Sequence, residues 1–389
     1  MPYSFDKEIN RRGTLSYKWD SADKDVIPLW VADMDFETAP VVKKALQKRV
    51  NHGIYGYTRV PDAYYKSVAD WFRIHHHWVF DPSWMLYTSG VVPAISAIIK
   101  ALTHPGDEVI VQSPVFNCFY SSIRNNGCKI VSNDLIYENG TYRIDFADLQ
   151  KKLSSPKAKI LLLCNPHNPA GRVWTSDELK RIGEICLQND VWIVADEIHC
   201  EFVSPGYTFL PFGSISPDFI HKTIVCISPS KAFNIGGLQI SNIVCENEEV
   251  RNKIDRAIND NEVCDVNPFG IVATMAAYTD EGAAWLKDLN SYINSNYLFL
   301  CDFFKENLPQ FPVTKLEGTY LVWVDCSAIG KDSETIQKEL LTSYRVWVNE
   351  GVMYGDNGNL FIRINIACPR KRLEEGLKRI AKGLKAMLP

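Results

Sequence analysis

The sequence predicts an α/β fold: a mostly parallel seven-stranded sheet flanked by helices, with a smaller α+β domain beside it. Three observations predict it. Short apolar, β-branched runs recur between residues 85 and 245 and read as buried strands. Segments with helical character lie between several of them, and such alternation places helices on both faces of a parallel sheet. After about residue 285 this βα rhythm stops, and a long helical stretch leads into a few separated strands.

Taken in order, the expected strands are 85–88, 108–112, 129–133, 159–164, 191–195, 223–227 and 239–245, with helices at 92–102, 115–125 and 176–189. The last helix has a capping-box start, Thr175-Ser-Asp-Glu178, followed by a periodic apolar face. A helical stretch over 283–308, strands near 313–325 and 360–367, and a charged helix over 369–387 make the smaller domain. The opening residues lack the βα rhythm and are expected to pack against it. The reading is a large domain at 46–284 and a small one formed by 1–45 and 285–389.

A chain of 389 residues has room for two domains, and 46% hydrophobic with 23% charged residues is an ordinary globular balance. A formal net charge of −4, with no basic run, gives no electrostatic case for nucleic acid or an acidic membrane. No apolar stretch reaches the roughly 18 residues of a membrane helix. The first residues are polar, without an apolar signal core. Eleven scattered cysteines without a C-x-x-C spacing fit free thiols in a reducing compartment, so a cytoplasmic location is expected. The run His75-His76-His77 invites a metal reading, but adjacent residues on a helix point in different directions and the three cannot converge on one ion.

The chemistry concentrates at two strand ends. Asp196 follows the apolar run 191–195, and Lys231 follows the run 223–227. Both should emerge over one sheet edge, where open α/β sheets bind ligands. An amine and a carboxylate there make either a salt bridge or a pyridoxal phosphate site, in which the lysine forms a Schiff base and the carboxylate keeps the ring nitrogen protonated. Thr88-Ser89-Gly90-Val91-Val92 follows a strand and opens a helix, so its amides and the helix dipole suit a phosphate. Ser228 and Ser230 precede the lysine and can reach the same anion, although a turn role suits Ser230 equally. In Asn165-Pro-His-Asn168-Pro-Ala-Gly171, two Asn-Pro pairs stiffen a strand-end turn; Asn168 either serves that turn or donates to the cofactor phenolate. Arg363 lies in an apolar strand and needs an anion, supplied by a substrate carboxylate or by an internal Asp or Glu.

Together, N-P-x-N-P-x-G, A-D-E and S-x-S-K in this order resemble the fold-type I pyridoxal phosphate enzymes of the aspartate aminotransferase superfamily, over about residues 27 to 385. The chain is more closely similar to the cystathionine β-lyase and cystalysin group of C–S lyases. That likeness rests on Ile27-Pro-Leu-Trp-Val-Ala-Asp-Met-Asp-Phe36, Tyr55-Gly-Tyr-Thr-Arg59, the histidine of Asp196-Glu-Ile-His199, and Ser228-Pro-Ser-Lys-Ala-Phe-Asn234. Many aminotransferases carry tyrosine at the position of His199.

The resemblance implies pyridoxal 5'-phosphate as cofactor and Lys231 as Schiff-base lysine and proton shuttle. It sets Asp196 at the pyridine nitrogen, Asn168 at the phenolate and Arg363 on the substrate carboxylate. Gly90, Val91, Val92, Ser228 and Ser230 form the phosphate cup, with His199 nearby. Tyr57 reaches the phosphate of a neighbouring subunit, which implies a homodimer. Two positions depart from the pattern. Phe116 stands where a stacking tyrosine is expected; its π face stacks but it relays no proton. Gln239 stands eight residues after the lysine, where aminotransferases commonly place a phosphate-binding arginine.

The implied activity is β-elimination of L-cystathionine or L-cysteine to thiol, pyruvate and ammonia. Transamination shares the early steps; a dicarboxylate aminotransferase needs a second arginine, for which Arg59 and Arg172 are the candidates. A third reading is a regulatory protein on the same fold.

Overall fold

The computed structural model describes residues 3–260, 262 and 264–389. Seven apolar runs build the principal sheet: β1 Met85–Thr88, β2 Glu108–Val111, β3 Lys129–Ser132, β4 Ala158–Cys164, β5 Trp192–Asp196, β6 Thr223–Ile227 and β7 Ser241–Cys245. Their spatial order is β1-β7-β6-β5-β4-β2-β3. Strand β7 runs antiparallel to both its neighbours, and the other adjacent pairs are parallel. Strands β1, β2, β4, β5 and β6 therefore end at one edge.

The side chains alternate between two cores, as a pleated sheet requires. Val109, Val111, Ile160, Leu162, Val194, Ile224 and Ile243 pack with Ala94, Ile95 and Ile98 of helix α1, Val91–Leu102. Ile110, Leu161, Leu163, Ile193, Ala195, Val225 and Ile227 face the other way, with Leu179 and Ile182 of helix α2, Ser176–Gln188. The expected capping box is present: Glu178 N donates to Thr175 Oγ1 at 3.3 Å and Thr175 N donates to Glu178 Oε2 at 2.9 Å.

The smaller sheet is antiparallel, with β8 Leu321–Asp325, β9 Asn349–Glu350 and β10 Phe361–Asn365 in the order β8-β10-β9. Helices α3, Asp280–Asn307, and α4, Arg370–Met387, complete this half. The expected strand at 313–325 contracts to β8 plus two isolated bridges, Val313 to Val324 and Gly318 to Val203. Between them the backbone turns aside, and Glu317 N and Gly318 N donate to Gly171 O at 2.7 and 3.0 Å. Residues 45/46 and 284/285, the expected domain limits, fall inside the helices Pro40–His52 and Asp280–Asn307.

The N-terminal segment is tied to the smaller sheet. Ile27–Pro28 pairs in parallel with Val346–Trp347, and Phe5 packs edge-on against Phe36 and Trp285. The buried Asp35 receives Arg11 at 2.8 Å, Lys18 at 3.2 Å, Arg372 at 3.3 Å and Trp19 Nε1 at 2.8 Å. Burial opposes its charge, but Lys18 and Arg372, with Trp19 and Arg11, hold the carboxyl below its usual range. Among the described residues, no helix is long and apolar enough to cross a membrane.

Candidate active site

Each residue singled out in the principal sheet sits at the shared strand edge. Asp196 is the last residue of β5 and lies in register with Cys164 of β4 and Cys226 of β6. Lys231 follows the end of β6, and Asn168 follows β4. Both bonds Asn165–Pro166 and Asn168–Pro169 are cis.

The Lys231 ammonium donates to Ala32 O at 2.7 Å. Burial drives its pKa down; the charges of Asp33 and Asp196 oppose that and Arg363 adds to it. Asp196 is 3% exposed, and burial lifts its carboxyl to about 6 despite a 3.1 Å hydrogen bond from Ile198 N and the charge of Lys231. These two groups feel each other's charge without forming an ion pair closer than 4 Å.

Arg363, in the middle strand of the smaller sheet, reaches across. Its Nη1 donates to Asn168 Oδ1 at 3.0 Å and its Nη2 to Trp30 O at 2.8 Å, while Tyr354 lies under the guanidinium at 4.9 Å. No Asp or Glu among the described residues pairs with it, and its buried Nε has no hydrogen-bond partner. The internal ion pair weighed from the sequence is therefore absent. Asn168 has committed its carbonyl to Arg363, which leaves its amide donors for another acceptor.

Three features shape an anion site at α1. Gly90 is the N-cap, has φ 150°, and offers no capping side chain. Val91 and Val92 N–H have no intrahelical partner, and the third position is Pro93, which has no N–H to satisfy. The first helical bond runs from Ala94 N to Gly90 O at 3.0 Å. Beside this, the Ser228 hydroxyl has one proton and two acceptors in reach, Ile240 O at 2.5 Å and Ser230 Oγ at 2.8 Å. Ser228 and Ser230 thus stiffen the turn before Lys231. Gln239 is exposed and folds back onto Gly236 O at 2.9 Å.

His199 is buried, and its Nδ1 has no partner. Burial first, then the charges of Lys231 and Arg363, push it down to about 3, so the ring is neutral. Phe116 is half-buried at the head of the helix Asn117–Asn125. Tyr57 is the exception: it is 98% exposed in the single chain and meets none of these residues. Arg172, one candidate for a second substrate arginine, is spent elsewhere. Its guanidinium binds Glu317 at 2.7 Å and Glu178 at 3.0 Å. Arg59 is exposed.

The sequence reading missed the strap over residues 30–36. Ala32 O accepts from both Lys231 and Tyr320 OH, the latter at 2.9 Å. Asn234 donates to Met34 O and Phe36 O and accepts from Met34 N; Asn365 donates to Val31 O and Asp33 O. The strap's main chain does this work, and main-chain carbonyls leave no mark in a sequence. The half-buried thiol of Cys118, raised by burial, also feels the charges of Lys231 and Asp196. Nothing in the pattern of the helix Asn117–Asn125 marks this cysteine out.

The donor set fits pyridoxal phosphate. It contains an amine, a carboxylate, a free amide donor, a side-chain-free anion cradle, and two sealed nitrogens without partners, Arg363 Nε and His199 Nδ1. Comparison with known proteins agrees. The chain is 39% identical over 386 residues to cystathionine beta-lyase PatB of Bacillus subtilis (strain 168), covering 98% of this chain and 100% of that protein. It is 30% identical over 392 residues to protein MalY of Escherichia coli (strain K12), covering 99% and 100%. The crystal structure of cystalysin from Treponema denticola, which contains a pyridoxal 5'-phosphate cofactor, matches with TM-score 0.96 and 36% identity over 99% of this chain and 100% of that one. Residues 24–380 match the family described as aminotransferase class I and II, and the chain belongs to that family.

Proposed function

We propose that this chain is a pyridoxal-phosphate-dependent carbon–sulfur lyase. It acts by β-elimination on L-cystathionine, L-cysteine or both, and yields a thiol, pyruvate and ammonia. One observation carries the reading: a buried guanidinium, Arg363, that lacks an internal anion and is bonded to Asn168, while Arg172 is locked between two glutamates. The chain itself thus offers one carboxylate clamp beside Lys231, as a sulfur amino acid needs at its α-carbon, and no buried second arginine for the side-chain carboxylate of an aspartate or glutamate. The likeness to PatB supports the lyase reading.

When bound, the cofactor supplies an aldehyde for imine formation and a ring that accepts the electron pair left at the substrate α-carbon. The chain's residues do the rest. Arg363 holds the substrate carboxylate and turns the Cα–H toward Lys231. Lys231 Nζ, with its pKa lowered by burial, takes that proton. Asp196 would keep a proton on the ring nitrogen, and Asn168 Nδ2 would donate to the phenolate oxygen. Val91 and Val92 N–H, with Ser228 and Ser230, would hold the phosphate, and Phe116 would stack on the ring. His199, neutral, would add no charge beside it.

We also infer a homodimer in which Tyr57 completes the phosphate site of the second copy. The exposed run of Ile54, Tyr55 and Tyr57, at 68%, 52% and 98%, supports it. Division into bodies 46–284 and 1–45 with 285–389 belongs to the same reading.

The test is incubation of the purified holoenzyme with L-cystathionine and no added keto acid. Pyruvate and homocysteine in equal amounts are expected; strict dependence on a keto acid establishes transamination instead. Lys231→Ala should lose the visible cofactor absorbance and turnover together.

A further inference from the structure

At the end of the helix Asp62–His75, three side chains of different chemistry converge, none of them among the residues assigned to the cofactor. We propose that His76, Cys200 and Glu201 form a binding site for a borderline divalent cation, Zn2+. One ligand atom from each, an imidazole nitrogen, a thiol sulfur and a carboxylate oxygen, lies within 4.8 Å of the other two. His76 Nε2 is 2.9 Å from Glu201 Oε1, and Cys200 Sγ is 3.7 Å from the same oxygen.

This nitrogen–sulfur–oxygen set is what zinc takes when three protein ligands leave a fourth position open. With bonds of about 2.0 to 2.3 Å and tetrahedral angles, the ligand atoms sit roughly 3.3 to 3.7 Å apart. The sulfur–oxygen distance already falls there, and the nitrogen–oxygen contact must open by a few tenths of an ångström.

The residues are held in place. Trp71 Nε1 donates to Glu201 Oε1 at 2.7 Å, and Asn290 Nδ2 donates to Glu201 O at 2.7 Å. Cys200 is buried, and the side chains of His76 and Glu201 are 9% and 7% exposed. Outer bonds of this kind orient metal ligands. A cavity of about 620 Å³ borders all three and gives a cation a way in and room for a fourth ligand. Of the run His75-His76-His77, only His76 offers a ligand atom to this cluster; the His75 ring packs on Trp71 at 4.0 Å and borders the same cavity, and His77 is exposed. The partners of His76 come from the loop after β5.

Binding exchanges protons without any redox change. The Cys200 thiol proton leaves to solvent as sulfur bonds the cation, and any proton on His76 Nε2 leaves with it. Without a cation, the His76–Glu201–Trp71 hydrogen bonds satisfy the same groups, so the rival is a purely structural triad.

Cobalt decides between them. Holoenzyme dialysed against a chelator is titrated with Co2+ alone. One equivalent should bind with a near-ultraviolet thiolate-to-cobalt band, and Zn2+ should displace it. Cys200→Ser should abolish the band. Glu201→Gln, which keeps an acceptor for Trp71, should weaken binding at least about tenfold. His76→Gln serves as the third arm should either of these fail to fold. Absence of stoichiometric uptake at micromolar cation, or an unchanged band in Cys200→Ser, overturns the proposal.

Discussion

A guanidinium removed from water demands an anion, and at Arg363 the protein supplies only a carbonyl, an amide oxygen and the face of Tyr354. Arg363→Lys keeps the charge but loses the fork, so KM for the amino acid should rise about 10- to 100-fold. Steady-state kinetics check it, with retained cofactor absorbance showing that the site still assembles. Asp196 poses the opposite problem, a carboxylate with too little positive charge near it. In the cofactor-free protein its folded pKa is about 6 against an ordinary 3.8. The folded state holds the proton more tightly, so stability falls as pH rises from about 4 to about 6, and the cost of about 3 kcal/mol is complete above that. Cofactor-free Asp196→Asn should therefore be more stable than the parent at pH 7, and the gap should close by pH 3.5. Urea unfolding at both values checks this. On the proposed function, a cationic ring nitrogen beside Asp196 would reverse the sign.

At the scale of elements, the seven strands of the main sheet were legible to within two residues at each end, because buried strands read as unbroken apolar runs. What escaped lacked that signal. Ile27–Pro28, Val346–Trp347 and β9 are two residues each, too short for any period. The hairpin Ile136–Glu138 with Thr141–Arg143 did carry a sign, Asn139-Gly140, whose φ values of 52° and 74° suit a tight turn. Lys231, Asp196 and Asn168 stand out because they lie at or just past strand ends, and Arg363 because it is a charge inside an apolar strand. The strap over 30–36 carries no such mark, since its contacts run through main-chain atoms. Asn234 holds it by three hydrogen bonds of 2.8 to 3.0 Å. Asn234→Ala should cost about 2 to 4 kcal/mol, because the freed main-chain groups are half-buried. It should also loosen Ala32 above Lys231, and thermal unfolding alongside kcat checks both effects.

Across the whole molecule, two buried histidines work against the fold in acid. His167 and His199 are each pushed down to about 3 by burial, against an ordinary 6.5. The unfolded chain takes up these protons first, so stability is complete above about pH 6.5 and is lost as pH falls toward 3. By pH 5 each costs about 2 kcal/mol. The buried carboxyls of Asp196 and Glu197, both raised by burial, act in the opposite direction, so the histidine contribution is read by difference, from the change in urea midpoint between pH 7 and pH 5 in parent and variant. His167→Gln, which keeps a donor toward Gln112 O, should flatten part of that slope.

The strap also dictates an order of assembly during synthesis. Its carbonyls at Trp30 and Ala32 leave the ribosome early, yet Lys231 lies 199 residues beyond Ala32 and Arg363 lies 333 beyond Trp30. Contacts so distant along the chain are slow to form and exact a large loop-closure entropy. A nascent polypeptide can build most of the main sheet while translation continues, but the strap stays unanchored on one side until β10 emerges. Maturation of the catalytic centre is thereby coupled to completion of the chain.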